Sequence, residues 1–391
     1  MTPHRVTIVG ASLAGLSTAR ALRAEGFDGD ITLIGDERHA PYDRPPLSKQ
    51  FLAGTMGVAD LALEDETESL GLQYLLGDAA VDLAADRTVT LADGRQVFGD
   101  AVVLATGARA RTLPCGPGLA GIHTLRTLDD AFALSADLQI SRRLVVIGAG
   151  FIGSEIASSA HELGLQVTVV EAAPTPLAGP LGVFLGAVVA RVHERAGVRL
   201  LTGAAPVGMT GETRVRQVQL ADGEVLTADV VVVGVGAVPN VEWLGSTGLD
   251  LRGGVRCDAA GFTGIDGVYA VGDCATWFDE QVGRHRRVEH WTGAHERPAL
   301  ISQQLLHGGA IGKVKPVYFW SDQYGSRIQF AGTIDGHDEV SVEAGDLDSG
   351  SFLAVYRRAG EPIGVVGIDQ VQLFGRWRRS LSGYRPAVPA G

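Results

Sequence analysis

The sequence has 391 residues, of which 46% are hydrophobic and 20% charged, so we expect a globular protein of two or three domains. A net charge of -12 argues against nucleic acid as a partner, and three separated cysteines argue against a disulfide framework or a zinc cluster. Because the N-terminal apolar run is too short for a signal peptide and no stretch is long enough to span a bilayer, we expect a cytoplasmic protein without a membrane partner.

The first elements are a strand, a tight turn and a helix, carried by "RVTIV", "GASLAG" and "LSTARALRAEG". A glycine-rich turn in this place is typical of dinucleotide-binding folds, in which the helix N-terminus binds the pyrophosphate. Ser12 stands where the middle glycine is usual, but serine is small and its hydroxyl could face a phosphate. The predicted residues of this loop are Gly10, Ser12, Leu13, Ala14 and Gly15.

The strand "ITLIGDE" follows this helix and ends in two acidic residues. The second strand of a nucleotide-binding fold usually ends in an acid that binds the adenosine ribose. Asp36 and Glu37 are both candidates for that role, and the sequence alone does not choose between them.

The stretch "RRLVVIGAGFIGSEIASSAHELGLQVTVVE" repeats the same plan with all three glycines present, and its last strand ends at Glu171. No arginine follows Glu171 closely, and a carboxylate there repels the 2'-phosphate of NADP. We therefore expect this copy to bind NADH. Its predicted residues are Gly148, Gly150, Phe151, Ile152, Gly153 and Glu171.

Each copy is followed by a similar hairpin and a buried strand. "LADGRQVFGDAVVLATG" and "LADGEVLTADVVVVGVG" both predict a strand, an Asp-Gly turn, a second strand and a β-branched strand ending in glycine. A single glycine motif is weak evidence, but a repeat of this length is specific. The chain is therefore predicted to contain two related nucleotide-binding domains.

Three later phrases resemble the two-dinucleotide-domain flavoprotein reductases, whose fold is that of glutathione reductase. "TGIDGVYAVGDCA" resembles their second FAD signature, in which the aspartate matching Asp273 bonds the ribityl chain of FAD. "ATGA" (105–108) and "GVGAVPN" (234–240) resemble the crossings between the FAD and NAD domains. The resemblance implies that these residues lie at the cofactors: Ala105, Thr106, Gly107, Gly236, Gly272 and Asp273.

This order of motifs predicts an α/β protein with two Rossmann-like FAD/NAD(P)-binding domains and a small mixed α+β C-terminal domain. The FAD-binding domain would comprise residues 1–107 and 239–316, and the NAD-binding domain residues 108–238. Short alternating strands such as "RIQFAGTI" and "SFLAVYRR" predict a C-terminal interface domain, residues 317–391.

The absence of an early cysteine narrows the subfamily. Members that reduce disulfides carry a redox cysteine early in the FAD domain, because a thiolate must accept electrons from the flavin, and here no cysteine precedes Cys115. The phrases "PYDRPPLSK", "FIGSE", "LRTLDDA", "EHW" and "FWSDQY" instead resemble the oxygenase-coupled, NADH-dependent ferredoxin reductases, the family of putidaredoxin reductase and rubredoxin reductase. The resemblance extends to about Arg379.

The family resemblance implies roles for single residues. Arg44 would lie along FAD, and Lys49 would lie near the reactive end of its ring and pair with Glu155 beside the nicotinamide. An isolated buried charge is costly, whereas a paired lysine can stabilise negative charge on the reduced flavin. Trp291 and Trp320 would border the ring. Other residues of the shared phrases that we expect at the cofactors are Arg126, Glu289 and His290.

The resemblance also implies the reaction and the partner. FAD would accept a hydride from NADH and pass single electrons to a [2Fe-2S] ferredoxin, which serves a ring-hydroxylating dioxygenase or a haem-thiolate monooxygenase. We expect a monomer or a weak homodimer. Because such ferredoxins are typically acidic, the basic runs "RHRR" (284–287) and "RWRR" (376–379) are candidate docking faces.

Two other functions are compatible with the same cofactor motifs. A flavin NADH:quinone reductase acting at a membrane would need an anchoring segment, and "FGRWRRSL" is short for one. A redox-responsive binding protein similar to apoptosis-inducing factor is the other alternative. Sedimentation with liposomes tests the first, and rapid ferredoxin reduction would argue against the second.

Overall fold

The structure is a computed structural model that describes residues 3–63, 70–116, 118–280, 282–309, 315–334 and 338–381. Its strands, in chain order, are β1 (Arg5–Val9), β2 (Asp30–Gly35), β3 (Leu72–Leu76), β4 (Ala80–Leu83), β5 (Thr88–Leu91), β6 (Gln96–Phe98), β7 (Ala101–Leu104), β8 (Ala108–Ala110), β9 (Ile122–His123), β10 (Arg143–Ile147), β11 (Gln166–Glu171), β12 (Arg199–Thr202), β13 (Pro206–Thr210), β14 (Gln217–Leu220), β15 (Val225–Thr227), β16 (Val230–Val233), β17 (Ala237–Pro239), β18 (Val255–Cys257), β19 (Val268–Ala270), β20 (Ala275–Asp279), β21 (Arg284–Arg287), β22 (Tyr318–Gln323), β23 (Ser326–Gly332), β24 (Glu339–Asp346), β25 (Ser351–Arg358) and β26 (Glu361–Ile368).

The α-helices of the described residues are α1 (Leu13–Ala24), α2 (Leu128–Gln139), α3 (Phe151–Glu162), α4 (Ala178–Arg195), α5 (Trp291–Glu296), α6 (Pro298–His307) and α7 (Val371–Leu381). Short 3-10 helices lie at Pro45–Ser48, Ala59–Leu61, Glu242–Leu244 and Gly272–Cys274. Among the described residues, none of the helices combines the length and apolar character that a bilayer crossing requires.

The first sheet has five parallel strands in the order β19-β7-β1-β2-β3. Its central strands are apolar on both faces: all four residues of β7 and the last four of β1 are buried. Strands of that kind need cover on both sides of the sheet. Ala19 and Leu22 of α1 pack into the same core.

The second sheet repeats this arrangement. It has five strands in the order β12-β11-β10-β16-β9, and the parallel trio β11, β10 and β16 corresponds to β2, β1 and β7. The predicted hairpins also occur in both copies, as the antiparallel pairs β5–β6 and β14–β15. The predicted pair of Rossmann-like sheets is confirmed.

The chain passes between the two sheets at two segments that pair with each other. β8 and β17 form a two-stranded antiparallel ribbon, with Ala110 opposite Ala237 and Ala108 opposite Pro239. The last strand of the first sheet, β19, comes from beyond the second crossing. We propose the domain boundaries at this ribbon, after residue 107 and before residue 239.

The C-terminal sheet is antiparallel, in the order β22-β23-β26-β25-β24. Phe374 of α7 packs against one face, and Leu181 and Leu185 of α4 pack against the other. The predicted small mixed α+β unit is therefore present, and it is anchored to a helix of the second nucleotide-binding unit. Residues 382–391, which the sequence assigns to the same domain, lie outside the described residues.

A buried histidine lies between α4 and the C-terminal sheet. His193 is fully buried, and its Nδ1 lies 2.9 Å from the Tyr324 hydroxyl oxygen. Its Nε2 is buried without a hydrogen-bond partner in the structure. Because burial disfavours the charged form, the pKa of His193 is lowered to about 4.

We expect His193 to make the fold sensitive to acid. A histidine in the unfolded chain titrates near 6.5, so the unfolded state takes up the proton first. Stability should therefore fall as the pH drops from about 6.5 towards about 4, by up to roughly 3 kcal/mol. His193→Gln should remove part of this fall, measured as the thermal unfolding midpoint at several pH values. The exposed His307→Gln is the control, and an unchanged acid loss in His193→Gln would contradict the prediction.

Candidate active site

The first glycine loop joins β1 to α1 in a conformation that requires glycine. Gly10 has a φ of +126°, and a Cβ built on it would lie 2.0 Å from the Ala105 carbonyl oxygen. A Cβ on Gly15 would lie 1.9 Å from the carbonyl oxygen of Gly10, so the helix approaches the loop closely. Ser12 is the N-cap but makes no side-chain cap hydrogen bond. The first N–H groups of α1 therefore remain available to an anion such as pyrophosphate.

The later FAD signature is brought to this loop by β19. A Cβ on Gly272 would lie 2.9 Å from the Cβ of Ala14 in the first turn of α1. Asp273 accepts a hydrogen bond of 2.7 Å from the Arg126 guanidinium. The Nε of Arg126 is buried without a partner. Since β1, β7 and β19 are parallel neighbours, these residues and Ala105, Thr106 and Gly107 meet at the carboxyl edge of one sheet.

Arg44 links the loop to the end of β2. Its guanidinium donates to the Glu37 carboxylate at 2.6 Å, to the Arg126 carbonyl at 2.8 Å and to the Ser12 hydroxyl at 3.3 Å. Tyr42 donates to the other carboxylate oxygen of Glu37 at 2.6 Å. Asp36 is exposed. Of the two acidic candidates, Glu37 is thus the one held beside the loop.

The second glycine loop has the same geometry. Gly148 has a φ of +99°, and a Cβ on Gly153 would lie 2.0 Å from the Gly148 carbonyl oxygen. Gly150, the N-cap of α3, has nothing within 4 Å of its Cβ position. The Glu171 carboxylate accepts the backbone N–H groups of Ala149 and Ala173 at 2.6 Å and 2.7 Å. This loop is therefore open in front of its middle glycine and has a carboxylate beside it.

The other residues predicted for the second site lie around its opening. Phe151 is partly buried, and its ring centroid is 4.4 Å from that of Phe319 in the C-terminal sheet. Ile152 is 45% exposed, which is high for a large apolar side chain. Gly236 has a φ of +100° and open space at its Cβ position. The structure thus places an accessible surface between the second loop and the return crossing.

Lys49 and Glu155 form an ion pair between the two halves of the site. Lys49 Nζ lies 2.7 Å from Glu155 Oε2, and the two side chains are 12% and 2% exposed. Lys49 also donates to the Pro45 carbonyl at 3.0 Å. Lys49 follows the 3-10 helix of the first unit, whereas Glu155 lies in α3 directly after the second loop. The pairing expected from the sequence is present, and its catalytic role stays a prediction.

Aromatic side chains border the same region. Trp291 and Trp320 meet edge to face with ring centroids 6.3 Å apart, and the Trp291 indole donates to Asp43 at 2.9 Å. Burial raises the pKa of Asp43, opposed by that hydrogen bond and by the charge of Lys49. His290 packs against the Phe319 ring, and burial lowers its pKa to about 4, so the imidazole is neutral at pH 7. Glu289, the last residue of this group, pairs with Arg287.

The two basic runs differ in which of their arginine side chains have partners within the protein. In "RHRR", which forms β21, Arg286 bonds Asp279 and Thr333, and Arg287 pairs with Glu289. Arg286 and Arg287 are therefore held by internal partners, whereas Arg284 is exposed. In "RWRR" the guanidinium carbon of Arg378 lies 3.9 Å from the Tyr318 ring centroid, whereas Arg376 and Arg379 are exposed on α7.

Sequence reasoning missed several residues that hold the site together. Ser48 and Ser321 donate to Glu155, and Asn240 joins the two crossings through reciprocal hydrogen bonds with Thr106. Ser48 and Ser321 do stand inside the shared phrases "PPLSK" and "FWSDQY", beside residues that were singled out. Their partners are distant in sequence, and nothing local indicates them.

These residues fit FAD and NAD. Each loop presents a helix N-terminus without a side-chain cap, and the unpartnered Nε of Arg126 lies in the first site. A redox disulfide does not fit, because all three cysteines are free and burial raises the pKa of the Cys257 and Cys274 thiols. The arrangement is two glycine loops on separate sheets, with a buried ion pair that joins the two units.

Comparison with known proteins gives two family matches. Residues 4–297 match the model described as pyridine nucleotide-disulphide oxidoreductase, and residues 318–390 match the reductase C-terminal model. The ferredoxin reductase component of chlorobenzene dioxygenase from Cupriavidus sp. (strain PS12) is 39% identical over 393 residues, covering 100% of this chain and 95% of that protein.

Two further similarities cover nearly the whole chain. The ferredoxin–NAD(+) reductase subunit of the benzene 1,2-dioxygenase system from Pseudomonas putida is 37% identical, covering 95% of this chain and 90% of that protein. The crystal structure of the covalent putidaredoxin reductase–putidaredoxin complex matches with a TM-score of 0.93 and 33% identity. That match covers 97% of this chain and 93% of the other.

Arg44→Met should weaken FAD binding by roughly 10- to 100-fold. The variant removes the donors to Ser12 and Arg126 and leaves the partly buried Glu37 carboxylate without its guanidinium partner, a loss of about 1–3 kcal/mol. The dissociation constant can be measured by titrating apoprotein and following the quenching of FAD fluorescence. The exposed neighbour Arg38→Met is the matched control. Equal FAD affinity in both variants would show that Arg44 does not organise this site.

Proposed function

Because the chain belongs to the pyridine nucleotide-disulphide oxidoreductase family, we propose that it is a ferredoxin–NAD(+) reductase that uses FAD and NADH. The observation that carries this proposal is the buried Lys49–Glu155 ion pair, which joins the first nucleotide-binding unit to α3, the helix that follows the second glycine loop. Nothing in the part of the chain that the structure describes favours the NADH:quinone reductase or the interaction protein.

The residues of the chain bind and orient the two cofactors. The loops at Gly10 and Gly148 would hold the two pyrophosphates at the N-termini of α1 and α3. We assign the FAD ribose to Glu37 and the NADH ribose to Glu171, since each carboxylate lies beside its loop. NADH is favoured over NADPH because the Glu171 carboxylate would repel a 2'-phosphate.

Lys49 and Glu155 are the proposed catalytic residues. When bound, FAD accepts the hydride of NADH and releases the two electrons one at a time, so that one NADH reduces two one-electron acceptors. The Lys49 ammonium, desolvated and fixed by Glu155, is placed to stabilise negative charge in the site. Trp291 and Trp320 exclude water from the edge of the site.

The partner we propose is a [2Fe-2S] ferredoxin serving a ring-hydroxylating dioxygenase or a haem-thiolate monooxygenase. Relatives named for dioxygenase systems and the structure solved with putidaredoxin support this. We propose a cytoplasmic protein that is a monomer or a weak homodimer.

The function is tested directly with the purified holoprotein. We expect a yellow protein that NADH bleaches at least about 100-fold more efficiently than NADPH and that then reduces a [2Fe-2S] ferredoxin catalytically. The measurement is steady-state reduction of ferredoxin, compared with reduction of a soluble quinone. A colourless protein that cannot be reconstituted with FAD would refute the proposal, and faster turnover with quinone than with ferredoxin would favour the quinone reductase.

The basic face of α7 should guide the ferredoxin. Arg378 stacks on Tyr318, which stacks on Trp320, so the helix is coupled to the aromatic edge of the site. The double variant Arg376→Glu/Arg379→Glu should slow ferredoxin reduction about tenfold at low salt, and the difference should shrink as salt is added. Reduction of ferricyanide by NADH should be unchanged. The control is the double variant Arg216→Glu/Arg252→Glu, which makes the same change of charge at two exposed arginines outside helices and strands. Equal rates in the two double variants would show that α7 does not guide the ferredoxin.

A further inference from the structure

The hydroxyl of Ser321 in the C-terminal sheet contacts the proposed catalytic pair, Lys49 and Glu155. Ser321 of β22 donates to Glu155 Oε1 at 2.7 Å, and both side chains are buried. Gln323, two residues further along the strand, donates from its amide to the Ser321 oxygen at 3.0 Å. We propose that Ser321 and Gln323 are positioning residues that hold the Glu155 carboxylate for the reaction with NADH. This inference rests on the function proposed above.

The direction of the hydrogen bonds is fixed by chemistry. A carboxylate can only accept, so the single proton of the Ser321 hydroxyl is committed to Glu155. The group on the other side of that oxygen must then be a donor, which the amide nitrogen of Gln323 is. Gln323, Ser321 and Glu155 therefore form a chain in which every donor points towards the carboxylate.

The two carboxylate oxygens of Glu155 accept hydrogen bonds from different parts of the chain. Oε2 receives the Ser48 hydroxyl at 2.5 Å and Lys49 Nζ at 2.7 Å, from the 3-10 helix Pro45–Ser48 and the residue that follows it. Among the described residues, Ser321 is the side chain that donates to Oε1. Without Ser321, Oε1 would be a buried charged oxygen without a donor, and the carboxylate would lose what fixes its rotation.

The packing of β22 on α3 sets this contact. Three contacts join the two elements in sequence order. The Phe319 ring packs against the Phe151 ring, and the Ser321 hydroxyl donates to Glu155. Directly after β22, the Tyr324 N–H donates to the Ser158 hydroxyl at 2.8 Å. Phe319, Ser321 and Gln323 share the buried face of the strand.

A polar pair in this interface is costly compared with apolar packing. Well-packed apolar side chains are often at least as stabilising as buried polar or charged groups. The serine and glutamine are therefore explained better by the orientation of Glu155 than by stability. The C-terminal sheet would then contribute to the reaction with NADH as well as to docking of the ferredoxin.

The test is the rate at which NADH reduces the bound flavin, measured by stopped flow. Ser321→Ala should be roughly tenfold slower, because the carboxylate loses the hydrogen bond that fixes its rotation. Ser321→Thr keeps the hydroxyl and should retain the parent rate. Gln323→Leu should also slow the reduction of the flavin by NADH, but less than Ser321→Ala does.

A second readout does not depend on activity. The infrared carboxylate band of Glu155, identified by subtraction of the Glu155→Gln spectrum, should shift in Ser321→Ala and stay in place in Ser321→Thr. The control is Ser341→Ala in the same sheet, whose hydroxyl bonds the exposed Glu343 and should affect neither measurement. If Ser321→Ala does not fold, Ser321→Cys, which has similar size and a weak donor, takes its place in both measurements.

The outcomes separate this inference from the proposed function. A parent protein that NADH does not reduce would defeat the proposed function itself. A parent that is reduced, together with a Ser321→Ala variant of unchanged rate and infrared band, would overturn the positioning role alone.

Discussion

The arrangement of the site depends on one buried charge. Glu155 is 2% exposed, and a carboxylate removed from water has to be compensated by cations and hydrogen-bond donors. Those donors are Ser48 and Lys49 from the first nucleotide-binding unit and Ser321 from the C-terminal sheet, while Glu155 itself belongs to the second unit. The charge is satisfied only when all three parts of the chain are assembled, so the geometry of the ion pair is a property of the complete fold.

The partner of Glu155 is an unusual residue for this chain. Only three of its 33 basic residues are lysines, namely Lys49, Lys313 and Lys315. The Lys49 ammonium donates both to a backbone carbonyl and to Glu155 within a narrow, largely buried space. A guanidinium is a planar fork with a wider footprint and could not replace this compact charge without moving its neighbours. The use of lysine here, in a chain that otherwise uses arginine, fits a position where the shape of the cation matters.

The fold was predictable from the sequence because its strongest signals are local and occur twice. Glycine is required at positions such as Gly10 and Gly148 because each lies in close contact with the end of a neighbouring strand. The apolar strands are long enough to be recognised in the sequence. The Lys49–Glu155 pair came from family resemblance. The contact of Ser321 with Glu155 was not predictable, because it is set by the packing of β22 on α3, and the choice of Glu37 over Asp36 depends on where Arg44 lies. The internal partners of Arg286 and Arg287 in the basic run at 284–287 were also not predictable, because an exposed arginine and one in an internal ion pair look alike in sequence.

The ribbon formed by β8 and β17 limits how the second nucleotide-binding unit can move. Two independent linkers would allow twisting and sliding, but these two are joined by three residue pairs and closed by the reciprocal hydrogen bonds of Thr106 and Asn240. The two crossings are therefore held together as one connection, which restricts twisting and sliding of the second unit against the first.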